Sequence, residues 1–208
     1  MPQSIPSDGP EQAPSPQGAP LWCGGWYRDA AACPSPHMSA RPASAEVDLI
    51  VVHSISLPPG QFGGGAVFAL FTGTLEPEAH PYFQTLRGLE VSSHFLIRRD
   101  GAVWQFVDCE KKAWHAGVSC YRGRHACNDD SVGIELEGLE EGDSFEPAQY
   151  AALAELCRAL LTRYPIRYVA GHADIAPGRK TDPGGAFDWA QLQRLLAWPD
   201  AVFPKRHV

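Results

Sequence analysis

The segment Val47–His53, built around Leu49-Ile50-Val51-Val52, limits what this chain can fold into more than any other stretch. It is nearly continuously apolar and β-branched, so it reads as a central strand buried on both faces. Such a strand needs cover on each side, which points to a layered α/β arrangement. The run ends abruptly in His53. A second β-rich stretch, Ile166-Arg167-Tyr168-Val169, gives way to loop at Gly171-His172. In an open α/β sheet, residues at strand ends converge on one rim, and ligand sites gather there.

The remaining elements fit that frame. Pro58 to Gly65 must be loop, and Ala66 to Phe71 predicts a short helix. Ser93–Arg98 and Ala102–Val107 are joined by Arg99-Asp100-Gly101, a hairpin signature with Asp-Gly in the turn. Val132–Leu136 is another strand. Pro147 to Tyr164 is the clearest helix: Pro147 suits the first turn, and Leu153, Leu156, Cys157, Leu160, Leu161 and Tyr164 recur at helical spacing. Ile166–Gly171 follows as a strand, and Phe187–Trp198 carries a second amphipathic pattern. The expectation is a single α/β domain, a mixed β-sheet flanked by helices.

Length and composition set the outer bounds. At 208 residues, with 44% hydrophobic and 20% charged, the chain suits one globular domain with a tail. Six of its nineteen prolines fall within residues 1–20, among Ser, Gln and Gly. That segment buries too little apolar surface to offset its entropy and is expected to be a disordered tail, with the domain running from 21 to 208. Residues 33–46 read as an irregular strap. The net charge of -7, without a Lys/Arg block, argues against nucleic acid. No stretch approaches the ~20 apolar residues of a membrane span, and no secretory signal is evident. The six cysteines lack paired metal-site spacing. They are expected as reduced thiols in a cytoplasmic protein with no obligate protein partner.

Candidate chemistry centres on the histidines. His53 and His172 end buried strands, and Asp182 follows ten residues after His172 in a loop stiffened by Pro177, Gly178, Pro183 and Gly184. Two imidazoles and a carboxylate would leave one position open, the arrangement a catalytic zinc needs. The bland alternatives are satisfied rim histidines and an Asx-turn Asp182. Glu135 and Glu137 alternate and so share a sheet face, either as acid–base groups beside a metal or as a solvated surface. His115 could line a cleft or be structural, and His94 could simply sit on a strand face. A thiolate pair drawn from Cys120 or Cys127 with His115 or His125 is the rival hydrolase reading.

Longer motifs point to a family. They include Val51-Val52-His53 with Ile55-Ser56-Leu57-Pro58-Pro59-Gly60, and Ala113-Trp114-His115-Ala116-Gly117-Val118-Ser119. They continue in Gly133-Ile134-Glu135-Leu136-Glu137-Gly138 and Arg179-Lys180-Thr181-Asp182-Pro183-Gly184. With these the chain closely resembles the zinc N-acetylmuramoyl-L-alanine amidases of the amidase-2 and peptidoglycan recognition protein superfamily. Within that superfamily it is most similar to the AmpD-type enzymes that act on 1,6-anhydro-muramoyl peptides in cytosolic peptidoglycan recycling. The resemblance covers residues 22 to 197. It implies one Zn²⁺ held by His53, His172 and Asp182, with Glu135 as catalytic carboxylate and Lys180 beside the metal. Tyr82 and Trp114 match cleft residues. Arg124 and Arg179 are candidate cationic contacts for the carboxylates of a muropeptide substrate. Two positions depart from the family pattern: Ser54 stands where Asn is common, and Glu90 where Arg is common. The alternative of the same fold is a module that binds peptidoglycan fragments without cleaving them.

Overall fold

Four neighbouring parallel strands, in matched register, bring the two histidines to one rim of a sheet. The computed structural model describes residues 20–142 and 145–204. Apart from Pro20, the tail expected over residues 1–20 lies outside them. The strands in chain order are β1 (Trp22–Cys23), β2 (Trp26–Tyr27), β3 (Ala31–Ala32), β4 (Met38–Ala40), β5 (Leu49–Ile55) and β6 (Phe95–Ile97). They continue as β7 (Val103–Gln105), β8 (Lys111–Ala113), β9 (Cys120–Tyr121), β10 (Arg124–His125), β11 (Ser131–Glu137) and β12 (Tyr168–Gly171). The helices are α1 (Ala66–Thr72), α2 (Pro81–Gln84), α3 (Pro147–Arg163), α4 (His172–Ile175) and α5 (Trp189–Leu196).

The main sheet has six strands in the order β12-β5-β11-β6-β7-β3. β12, β5, β11 and β6 run parallel, β7 returns antiparallel to β6, and β3 closes the edge parallel to β7. The mixed sheet flanked by helices is therefore the one the sequence predicts. Alternation divides its residues between the two faces of the sheet. Ile50 and Val52 of β5, with Val132, Ile134 and Leu136 of β11, pack on Leu153, Leu156 and Leu160 of α3 and Leu192 of α5. On the opposite face, Leu96 and Trp104 meet Phe68 and Phe71 of α1, while Leu49 and Val51 meet Ala116, Ala170 and Ile175.

Several boundaries differ from the sequence reading. The strand expected over Val47–His53 runs from Leu49 to Ile55, because β11 continues alongside it to the Glu137–Ile55 pair. His53 thus sits inside a strand rather than ending one, and His172 opens the short helix α4 directly after β12. The hairpin strands shorten to Phe95–Ile97 and Val103–Gln105, and the last helix to Trp189–Leu196. The strap over residues 33–46 is anchored by Arg41. Its guanidinium donates to the carbonyls of Cys109, Asn128, Asp129 and Ser131 at 2.7–3.1 Å. All six cysteines are free, with Cys109, Cys127 and Cys157 buried. Among the described residues, no helix is long and apolar enough to cross a membrane.

Candidate metal centre

Strand register places the site. His53 of β5 pairs with Glu135 of β11, and Gly171 of β12 pairs with Val52, so His172 emerges beside His53. The third group comes from the loop after α4. The Ala173 amide donates to the Asp182 carbonyl at 2.9 Å, and the Lys180 amide to Ala176 O at 3.0 Å. Close packing fixes this loop further: a Cβ on Gly171 would lie 2.8 Å from Pro183 Cδ and 3.2 Å from the Trp189 ring.

Three donor atoms converge as a result. His53 Nδ1 lies 3.0 Å from His172 Nδ1 and 3.0 Å from Asp182 Oδ2, and His172 Nδ1 lies 3.1 Å from the same oxygen. All three side chains are buried. The far side of each ring shows where the protons are. The Ser131 hydroxyl donates to Cys127 O at 2.5 Å, so its oxygen accepts from His115 Nε2 at 3.1 Å. A neutral His115 then has a bare Nδ1, which accepts from His53 Nε2 at 2.9 Å. His172 Nε2 donates to Ala116 O at 3.1 Å. Both ligand imidazoles therefore turn unprotonated Nδ1 atoms toward each other and toward a carboxylate oxygen. Three mutually facing lone pairs repel unless a cation lies among them, and two imidazoles with one carboxylate are a donor set suited to a transition metal. The residues fit a metal ion.

Electrostatics agree. Burial pushes the His53 imidazole down to about 4, with the Asp182 contact opposing it only in part. Burial, then the neighbouring His53, holds His115 well below the usual range and hence neutral. Burial alone would raise the Asp182 carboxyl, but its close contacts with the His172 and His53 rings outweigh that and hold it below the usual carboxylate range, so the group stays ionised. Glu135 goes the other way: burial, then repulsion from Asp182, raises its carboxyl well above the ordinary range, and Lys180 opposes this. Its Oε2 is buried without a hydrogen-bond partner.

A cavity of about 530 Å³ opens over this centre, lined by the three ligand residues with Glu135 and Lys180. Tyr82 and Trp114 form part of its wall, and the Trp114 indole is held by Ser39 Oγ at 3.1 Å. Ser54 also lines it, with a buried hydroxyl that has no partner. Glu137 shares the sheet face of Glu135 but leaves the cavity, accepting from the Gly63 amide at 2.6 Å. Both acids are buried, so this face is not a solvated surface.

Two expectations are not met in place. Arg124 does not line the cavity, because the buried Asp48 captures its guanidinium at 2.8 Å at the opposite end of β5. Arg179 is drawn to the carbonyls of Ala116 and Val118, both 2.7 Å from Nη2, and braces that loop. Glu90 faces a smaller neighbouring cavity of about 210 Å³. The thiolate reading finds no place in this cavity: burial raises the Cys127 thiol, both His115 nitrogens are engaged, and Cys120 pairs with His125 on β9 and β10 away from the cavity wall. Ser131 and Asn128, which turn out to support the centre, carry no local sequence signal.

The family model described as N-acetylmuramoyl-L-alanine amidase matches residues 43–185, which span every residue of this centre. The chain belongs to that family. It is 54% identical over 174 residues to the 1,6-anhydro-N-acetylmuramyl-L-alanine amidase AmpD of Citrobacter freundii, covering 83% of this chain and 92% of that one. Identity to the AmpD of Escherichia coli K12 is also 54%, with 83% and 95% covered. A crystal structure of a Se-Met AmpD derivative superposes with a TM-score of 0.82, covering 85% of this chain and 99% of that one. The E. coli amidase AmiD was solved in complex with anhydro-N-acetylmuramic acid-L-Ala-D-gamma-Glu-L-Lys. It matches at 34% identity and a TM-score of 0.55, over 77% of this chain and 63% of that one. A human peptidoglycan recognition protein at 16% identity, with a TM-score of 0.54, shares the fold. This protein is thus an N-acetylmuramoyl-L-alanine amidase with a group that suits a metal ion.

Proposed function

We propose that this amidase is zinc-dependent and cleaves the lactyl-amide bond between 1,6-anhydro-N-acetylmuramic acid and L-alanine in muropeptides, in cytoplasmic peptidoglycan recycling. The observation that carries the reading is the convergence of three unprotonated donor atoms beside a buried, unpartnered carboxylate in one cavity. His53, His172 and Asp182 would hold the zinc, which when bound would supply an activated water near neutral pH and a Lewis acid for the scissile carbonyl.

The protein's own groups do the rest. Glu135 receives the proton of the attacking water on its free Oε2, a step typically worth ~10²–10⁴-fold. Lys180 sets a positive charge at the cavity wall, where it stabilises the developing oxyanion. Tyr82 and Trp114 orient the sugar and peptide against the wall. The curated relatives named for the 1,6-anhydro substrate, and the AmiD complex with an anhydromuramoyl peptide, support this choice of substrate. A binding-only module would have no use for Glu135 and Lys180 beside a complete ligand set. Initial rates decide the substrate. Anhydro-muramoyl tripeptide should be cleaved far faster than intact sacculi, and equal rates or a preference for sacculi would overturn the recycling assignment.

A further inference from the structure

We propose that His115 is a positioning residue of the metal centre: its ring, locked by Ser131, holds His53 with the Nδ1 lone pair turned to the ion. This rests on the metal reading above and adds a residue to it. A metal-ligating histidine needs its far nitrogen fixed, because a proton on the wrong nitrogen abolishes ligation. The usual partner is a carboxylate or a carbonyl, which can only accept. Here the partner is a second imidazole, which accepts only while its own proton stays on the other nitrogen.

The structure supplies the lock that such a partner requires. His53 Nε2 donates to His115 Nδ1 at 2.9 Å, His115 Nε2 donates to Ser131 Oγ at 3.1 Å, and Ser131 donates to Cys127 O at 2.5 Å. The chain ends on a backbone carbonyl, so its direction cannot reverse. The His115 ring also has a seat prepared for it. It lies flush on β11 at Gly133, where a Cβ would stand 2.6 Å from His115 Cγ. The Asn128 carboxamide oxygen accepts from the His115 and Ala116 amides at 3.2 and 2.8 Å, fixing this dipeptide. Ala116 in turn offers its carbonyl to His172 Nε2. One dipeptide therefore orients both imidazole ligands.

The test reads zinc affinity by competition with a chromophoric chelator, alongside the melting temperature of the metal-free protein. His115→Phe should weaken zinc binding about 10–100-fold. His115→Asn places an acceptor oxygen close to the lost Nδ1 and should recover most of that affinity. Ser131→Ala should weaken it as well, since His115 can then hold its proton on either nitrogen. In the zinc-loaded wild type, long-range 1H–15N spectra should show both His115 and His53 protonated at Nε2, a result that needs no variant to fold. Wild-type affinity in a folded His115→Phe, or a His115 proton found on Nδ1, would overturn the proposal. A wild type that takes up no zinc would instead overturn the metal reading, and this proposal with it.

Discussion

Glu135 shows how one strand position acquires chemistry. Its neighbour in register is the ligand His53, yet its own Oε2 has no partner, and burial raises its carboxyl well above the ordinary range. Lys180 opposes that shift, and a cation at the neighbouring site adds to the same side. Glu135→Gln should therefore keep its metal and lose ~10²-fold or more in turnover, because an amide cannot accept the proton. A variant that loses its metal would make Glu135 a ligand instead. Lys180→Ala should likewise keep the metal while turnover falls, as read by metal content alongside initial rates. A third residue, His94, contributes to acid sensitivity. Its Nδ1 accepts from the Gly133 amide at 3.0 Å, and burial, then the Arg41 charge, pushes its imidazole down to about 3. Below pH ~6.5 the unfolded chain binds a proton that the folded protein refuses, so stability falls as pH drops from there toward 3. The slope from this group is at most about 1.4 kcal/mol per pH unit. Urea unfolding at pH 7 and pH 5 should show that slope reduced in His94→Gln; an unchanged slope would contradict the assignment. His94 had looked like a residue merely sitting on one strand face, because neither Arg41 nor the Gly133 amide is near it in sequence.

At the scale of elements, the continuous apolar run and the helical spacing from Pro147 onward were legible because each depends on local periodicity. The register was not. That Glu135 lies beside His53, and that His53 sits two residues inside its strand, follows from how far β11 extends, which no local pattern encodes. The ends of apolar runs pointed to His53 and His172, and the resemblance carried by the longer motifs implied the full ligand set, whereas the support behind it was not legible. Ser131 and Asn128 act across the fold on His115, and isolated Ser and Asn residues look alike wherever they occur. The same blindness put Arg124 near substrate, since nothing local announces the buried Asp48 that binds it. The metal loop gives an element-scale prediction. A methyl at Gly171 would meet Pro183 Cδ at 2.8 Å and displace the backbone that carries Asp182. Gly171→Ala should weaken metal binding about tenfold or more, by chelator competition. Unchanged affinity would mean that the loop repacks freely.

For the whole molecule, sheet, strap and loops serve one rim. The parallel strands deliver His53, His172 and Glu135, α1 and α3 cover the two faces, and the strap reaches inside through Arg41. A ligand that binds only the folded state stabilises it by RT ln(1 + L/Kd), with L the free ligand concentration. Stripping the metal should therefore lower the melting temperature as well as abolish activity. The central claim is that the amidase activity depends on a metal held by His53, His172 and Asp182. The most direct measurement is metal content by elemental analysis, paired with the initial rate on anhydro-muramoyl tripeptide, for the wild type and Asp182→Ala. The account predicts about one zinc per wild-type chain, and loss of both metal and turnover in the variant. Full turnover from a wild-type sample shown to be metal-free, or from an Asp182→Ala protein without metal, would contradict it.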